Sequence, residues 1–274
     1  VVQSLMALLI PLVVMIFLGN NSKSLLIGVA TSFLFCIIIF TKNIKINFSF
    51  IFNKKRKIND IEIIKKWFRY GSPLSIWFAA GLALSFLDRY FINHYLTKIE
   101  LGTYSSLQEI LVRSFSFTLF PLTMALHPRI MNLWNKSKFQ EATQLTLKSI
   151  FFILSLGLFI LLIIWNYSDV IFLFLQTLIP QFGIESKNLV FPLLSAGFLW
   201  QLSFLTHKML ELKEQTILMA IAIVPSLIIN IVGNNYFLPI MGGIATAYTA
   251  LFSALIYCMI TGIHFIYSIK KIRA

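Results

Sequence analysis

Residues 73–96 read PLSIWFAAGLALSFLDRYFINHYL. The run is apolar from Pro73 to Leu87 except for Ser75 and Ser85, and then carries Asp88 and Arg89. A hydrocarbon core about 30 Å thick is crossed by roughly 20 apolar residues of helix, so this stretch has the length of a membrane span. Ionisable side chains at that depth cost several kcal/mol unless paired or facing water, so Asp88 and Arg89 are candidate functional groups.

Seven more stretches of the same kind surround it, at 1–18, 24–41, 102–126, 149–166, 188–206, 216–234 and 242–267. Only helices and closed barrels satisfy their backbone in lipid, and runs of this length are helical. The expected fold is an all-α polytopic membrane protein with eight transmembrane helices. The composition agrees: 58% of residues are hydrophobic and 12% charged, against roughly 25% charged in a soluble domain.

The net charge of +13 does not require nucleic acid, because its placement is that of a membrane protein. Nine of the 23 Lys and Arg residues fall in 42–72, and others follow around 127–148, in 207–215 and after Ile269. The alternate loops hold only Lys23, Lys98 and Lys187. Excess Lys and Arg marks the cytoplasmic side, which places the C-terminus in the cytoplasm. Cys36 and Cys258 lie inside apolar runs and are expected to be free, as buried hydrophobes. The chain opens on Val1-Val2 within an apolar run, without the charged start and small-residue cleavage site of a signal peptide. Further spans are expected upstream.

The polar segment 42–72 divides two spans from six, giving units 1–41 and 73–274 joined by a linker. Within the linker Ile58, Ile61, Ile64, Trp67 and Phe68 recur at helical spacing among Lys65, Lys66 and Arg69, the pattern of an amphipathic helix lying in the interface. Between 166 and 188, Val170–Leu178 is apolar but too short to span, and is expected to dip back or lie flat. Pro225 is expected to bend the seventh span.

Span four carries Glu109 and Arg113. On span three Ser85, Arg89 and Asn93 are four apart with Asp88 beside them; on span four Ser105, Glu109, Arg113 and Ser116 make a second polar stripe. Antiparallel helices turning near Ile99 bring Arg89 level with Glu109, and Ser85 level with Arg113, with Asp88 within a turn of the latter. The four ionisable residues Asp88, Arg89, Glu109 and Arg113 are thus expected to form one charge-balanced cluster handling solute or cation, or else a sealed clasp. Ser85, Asn93, Gln201 and Asn230 are weaker candidates, the last two, like His207, being equally suited to bonds between helices. His127 and Arg129 suit interfacial anchoring. The four histidines lack metal-ligand spacing, and no phosphate-cradling loop or nucleophile elbow occurs, so neither catalysis, metal nor cofactor is expected.

Tyr70-Gly71-Ser72-Pro73-Leu74, Asp88-Arg89-Tyr90-Phe91-Ile92 and Leu101-Gly102-Thr103-Tyr104-Ser105, in that order and spacing, resemble the start of the second lobe of Wzx-type polysaccharide flippases. Asn230, Asn234, Pro239, Gly242, Gly243 and Ala245-Thr246-Ala247 resemble that family's last helical pair. The resemblance implies the two-lobed fold of the multidrug/oligosaccharidyl-lipid/polysaccharide exporters, with this chain supplying the last two helices of the first six-helix lobe and the whole second one. It further implies flipping of an undecaprenyl-diphosphate-linked oligosaccharide, an O-antigen or capsule repeat unit, across the bacterial inner membrane. Proton or sodium coupling and partnership with the polysaccharide polymerase machinery go with that activity. A drug exporter of the same fold, a membrane-embedded polysaccharide polymerase or ligase, and an inactive remnant are the alternatives. An enzyme of that kind needs a large outer loop with clustered Arg and His, which 167–187 does not provide.

Overall fold

The structure, a computed structural model, describes residues 2–19, 21–43, 60–180 and 182–273. Among these it is helical without strands, and it divides into two compact units, Val1–Asp60 and Ile61–Ala274.

The first unit is a helical hairpin of α1 (Val2–Leu18) and α2 (Ser22–Asn43). Gly19 turns the chain at φ +90°, and Asn21 accepts the Ser24 amide at 2.8 Å through its side chain, capping α2. The two helices meet so closely that a Cβ on Gly28 would lie 2.4 Å from Pro11 Cα. Cys36 Sγ contacts Met6 Sδ at 3.7 Å across the hairpin. Lys45, the Lys54–Lys57 cluster and Ile58 of the expected linker lie outside the described residues.

The second unit contains α3 (Asp60–Tyr95), α4 (Lys98–Asn135), α5 (Phe139–Asn166), α6 (Ser168–Leu178), α7 (Lys187–Thr206), α8 (Lys208–Leu212), α9 (Thr216–Ala222), α10 (Val224–Met241) and α11 (Gly243–Arg273). Among the described residues six helical segments are long and apolar enough to cross a membrane: Ile61–Tyr95, Lys98–Asn135, Phe139–Asn166, Ile184–Leu212, Thr216–Met241 and Gly243–Ile272. The helices outrun the apolar stretches. In particular, the amphipathic segment expected as a separate interfacial helix is the first part of α3 and continues through Pro73 into the span. Pro225 stands in the first turn of α10, where the seventh span breaks at Ile223, because proline cannot donate to the preceding turn.

The buried centre is α7. It packs against α4, α5 and α11, and α6 folds back on it through Phe172 and Leu175. Small residues let the backbones approach: a Cβ on Gly197 would sit 2.9 Å from the Val112 backbone of α4, and one on Gly157 of α5 would enter the Phe198 ring. Outward faces are apolar instead. On α5, Phe151, Phe152, Leu158, Phe159 and Leu162 are exposed while Ser149, Ile153, Gly157 and Leu161 are buried. A surface of this kind suits lipid as solvent.

Candidate functional site

Ala80, Leu84, Asp88 and Ile92 are four apart on α3, and all are buried. Asp88 therefore belongs to the inward line of its helix, 1% exposed. Arg89 is one residue on, about 100° round the helix, and lies on the flank.

Two pairs of side chains meet Asp88, each pair on one helix face by its spacing of four. From α4, the Tyr104 hydroxyl donates to Asp88 Oδ2 at 3.2 Å and Gln108 Nε2 donates to the same oxygen at 3.1 Å. From α10, Asn230 Nδ2 and Asn234 Nδ2 donate to Oδ1 at 2.8 and 3.2 Å. Asn234 Nδ2 also lies 3.0 Å from the Asn230 carbonyl. All four partners are buried. An ionised carboxylate accepts about four hydrogen bonds, so this shell is complete. It is also uncharged: among the described residues Asp88 has no ion-pair partner. Gln108 Oε1 and Asn234 Oδ1 are buried acceptors without a hydrogen-bond partner among the described residues. The node is rich in oxygen and lacks a positive charge.

The remaining charges form a separate group. Arg89 Nη2 donates to Glu109 Oε1 at 2.6 Å, across the α3–α4 turn. Arg113 Nε, one turn further along α4, pairs with Glu109 Oε2. Two guanidiniums share one carboxylate, leaving a surplus of one positive charge. This triad lies on the open side of the unit, with side-chain exposures of 31%, 42% and 66% for Arg89, Glu109 and Arg113.

The single four-residue cluster expected from sequence is thus two groups. Arg89 and Glu109 meet. Among the described residues Asp88 and Arg113 form no ion pair, and Arg113 pairs with Glu109 rather than with Ser85. Ser85 and Asn93 are exposed and join neither group. Asn230 is a direct partner of Asp88, and Gln201 bonds instead to Ser116 Oγ on α4 at 2.8 Å. Tyr104, Gln108 and Asn234 are additions. The asparagines could have been found from their spacing of four; the tyrosine and glutamine gave no signal apart from lying on one face of α4.

A second polar cluster sits at the other end of the unit, where α7 gives way to α8. Trp77 Nε1 donates to Tyr257 Oη at 2.6 Å, and Tyr257 Oη is 3.1 Å from His207 Nδ1. His207 Nε2 faces Glu211 Oε1 at 3.6 Å. Glu211 pairs with the buried Lys208, whose Nζ is 3.0 Å from His127 Nδ1. His127, expected as an interfacial anchor, ties α4 into this network.

A family model described as MatE matches residues 73–236, more than half of the chain. No curated protein and no solved structure matches it.

Proposed function

The chain belongs to the MatE family, which makes it a transmembrane transporter of the multidrug/oligosaccharidyl-lipid/polysaccharide exporter superfamily, and from that premise we propose that it flips an undecaprenyl-diphosphate-linked oligosaccharide from the cytoplasmic to the outer leaflet of a bacterial inner membrane. In this reading α1 and α2 end a first lobe, residues 73–274 form the second, and the C-terminus is cytoplasmic, the side that the basic loops favour.

The observation that carries the reading is the Arg89–Glu109–Arg113 triad. A polyprenyl diphosphate presents a compact anion between a sugar and a lipid tail. Guanidinium forks bind phosphate oxygens bidentately and are less strongly hydrated than ammonium groups, which suits a site between water and lipid. With no anion bound, Glu109 neutralises part of the pair and keeps two arginines stable at close quarters. An arriving diphosphate competes with that one carboxylate for both forks. Substrate and Glu109 then alternate, as an exchange site that must also release its cargo requires.

Asp88 is the coupling group in this account. Its four donors stabilise the ionised carboxylate, and uptake of a proton or a sodium ion has the Gln108 and Asn234 amides turn their unpartnered oxygens toward it. The shell joins α3, α4 and α10, so occupancy bears on how those helices pack. The test is deletion of the complete gene in its host. Lipid-linked repeat units should accumulate on the cytoplasmic face and be cleared by the restored gene. Unchanged surface polysaccharide in a host without a second such transporter counts against the proposal.

A further inference from the structure

At the end of the second unit that carries the α3–α4 turn, an open cleft of about 450 Å³ with a mixed lining has Glu100, Thr103, Tyr104, Glu185 and Asn188 on its polar part, and the Gly242-Gly243 turn between α10 and α11 at its edge. Tyr104 belongs to two sites at once. Its side chain lines this cavity, and its hydroxyl is one of the four donors to Asp88. The other three donors, Gln108, Asn230 and Asn234, line none of the described cavities. Tyr104 on α4 is thus the residue that links Asp88 to this cavity.

The cavity's chemistry matches a cation path. Two carboxylates, a threonine, a serine and an asparagine line it beside four apolar side chains, and no Lys or Arg is among its lining residues. Glu100 is held by the capping box at the start of α4, where Thr97 N and Thr97 Oγ1 both donate to its Oε2, at 3.0 and 2.8 Å. A carboxylate fixed in this way lowers the potential at the mouth without swinging in to neutralise an entering ion. Arg89, the nearest cation in sequence to Asp88, is engaged by Glu109, which offsets its charge beside Tyr104. By contrast, the groove between α10 and α11, lined by Ile229, Phe237 and Phe252, is apolar and offers a cation nothing.

We propose that this cavity is the aqueous vestibule through which Asp88 exchanges its cation, with the Tyr104 side chain as the partition. The inference rests on Asp88 being the coupling carboxylate. A proton crosses the partition by a concerted step: the Tyr104 O–H proton passes to Asp88 Oδ2 while a vestibule hydronium returns a proton to the phenol oxygen. A sodium ion requires the ring to swing aside. The vestibule opens to one face of the membrane only, the outer one in the topology that the basic loops favour.

The test uses the full chain in membrane vesicles of both orientations. The reporter is modification of Asp88 by a hydrophobic carbodiimide, which reacts with the protonated carboxyl, read by mass spectrometry of the peptide bearing Asp88. Labelling should follow the pH of the compartment facing the vestibule and ignore that of the other. A membrane-impermeant sulfonated thiol reagent on Thr103→Cys, or on Asn188→Cys, should abolish that response; the same reagent on the unsubstituted chain, whose Cys36 and Cys258 are buried, should not. If labelling follows the pH but ignores a reagent shown by mass to be attached at Thr103→Cys or Asn188→Cys, the vestibule is wrong and Asp88 keeps its role. If labelling follows the opposite compartment, the path runs elsewhere. If Asp88 is labelled at no pH and sodium changes nothing, the coupling role falls and the vestibule with it.

Discussion

Asp88 and Arg89 are neighbours on one helix and share no partner: the aspartate is held by four neutral donors inside the bundle, and the arginine by Glu109 on its open side. A chain that needed only to close α3 on α4 could have paired Asp88 with Arg113 across the helices, as Arg89 is paired with Glu109. Keeping them apart leaves one negative group buried and one positive group accessible. Both are useful to a carrier that couples a cation to an anionic cargo.

Asp88→Asn should abolish the cation dependence of transport while the chain still inserts. The amide nitrogen faces donors, so at least one buried hydrogen bond is lost or reversed, at a cost of about 1–3 kcal/mol. Thermal unfolding in detergent, beside transport at varied sodium and pH, separates the two effects. Transport that keeps its ion dependence would remove Asp88 from the coupling step.

Neutralising the triad should cost activity more than stability. Arg89→Ala leaves Glu109 paired with Arg113, so no carboxylate is left without a partner. The same variant should weaken binding of a polyprenyl diphosphate strongly. A double-mutant cycle of Arg89→Ala with Glu109→Gln measures the coupling directly. A large stability coupling with unaltered binding would make the triad a clasp.

Gly197→Ala should destabilise the second unit by about 1–3 kcal/mol, because the added methyl meets the Val112 backbone, which cannot rotate away. Gly102→Ala, with nothing within 4 Å of the added carbon, is the control and should be near neutral. Melting temperatures of the two variants, purified identically, decide the matter.

At the α7–α8 break, Glu211→Gln should be worse tolerated than Tyr257→Phe. The first leaves the Lys208 ammonium, nearly inaccessible to solvent, without its carboxylate, at about 3–5 kcal/mol. The second unpairs Trp77 Nε1 and His207 Nδ1 but strands no charge, at about 1–3 kcal/mol. Yields and unfolding temperatures should rank accordingly.

The spans were legible because lipid demands long apolar runs, and the meeting of Arg89 with Glu109 followed from counting outward from one turn. Helix ends were not legible: α4 continues to Asn135 and α3 begins at Asp60, where the sequence is amphipathic and its apolarity no longer reports the helix. Asp88 was misplaced for a simple reason. Placed in the polar stripe because it lies three residues beyond Ser85, it lies instead on the line of Ala80, Leu84 and Ile92, and that spacing was there to be read. The role of Tyr104 was hidden, since an aromatic residue on a buried helical face looks like packing until its hydroxyl is located. His207 and Glu211, four apart with Lys208 beside the first, carried a readable signal that scattered histidines obscured.

The most direct measurement is leaflet translocation of a fluorescent polyprenyl-diphosphate oligosaccharide in proteoliposomes bearing the complete transporter. The account predicts cation-dependent flipping that is lost in the Arg89→Gln/Glu109→Gln/Arg113→Gln triple variant, which strands no charge, while its unfolding temperature stays close to that of the parent. Undiminished flipping in that variant would contradict it.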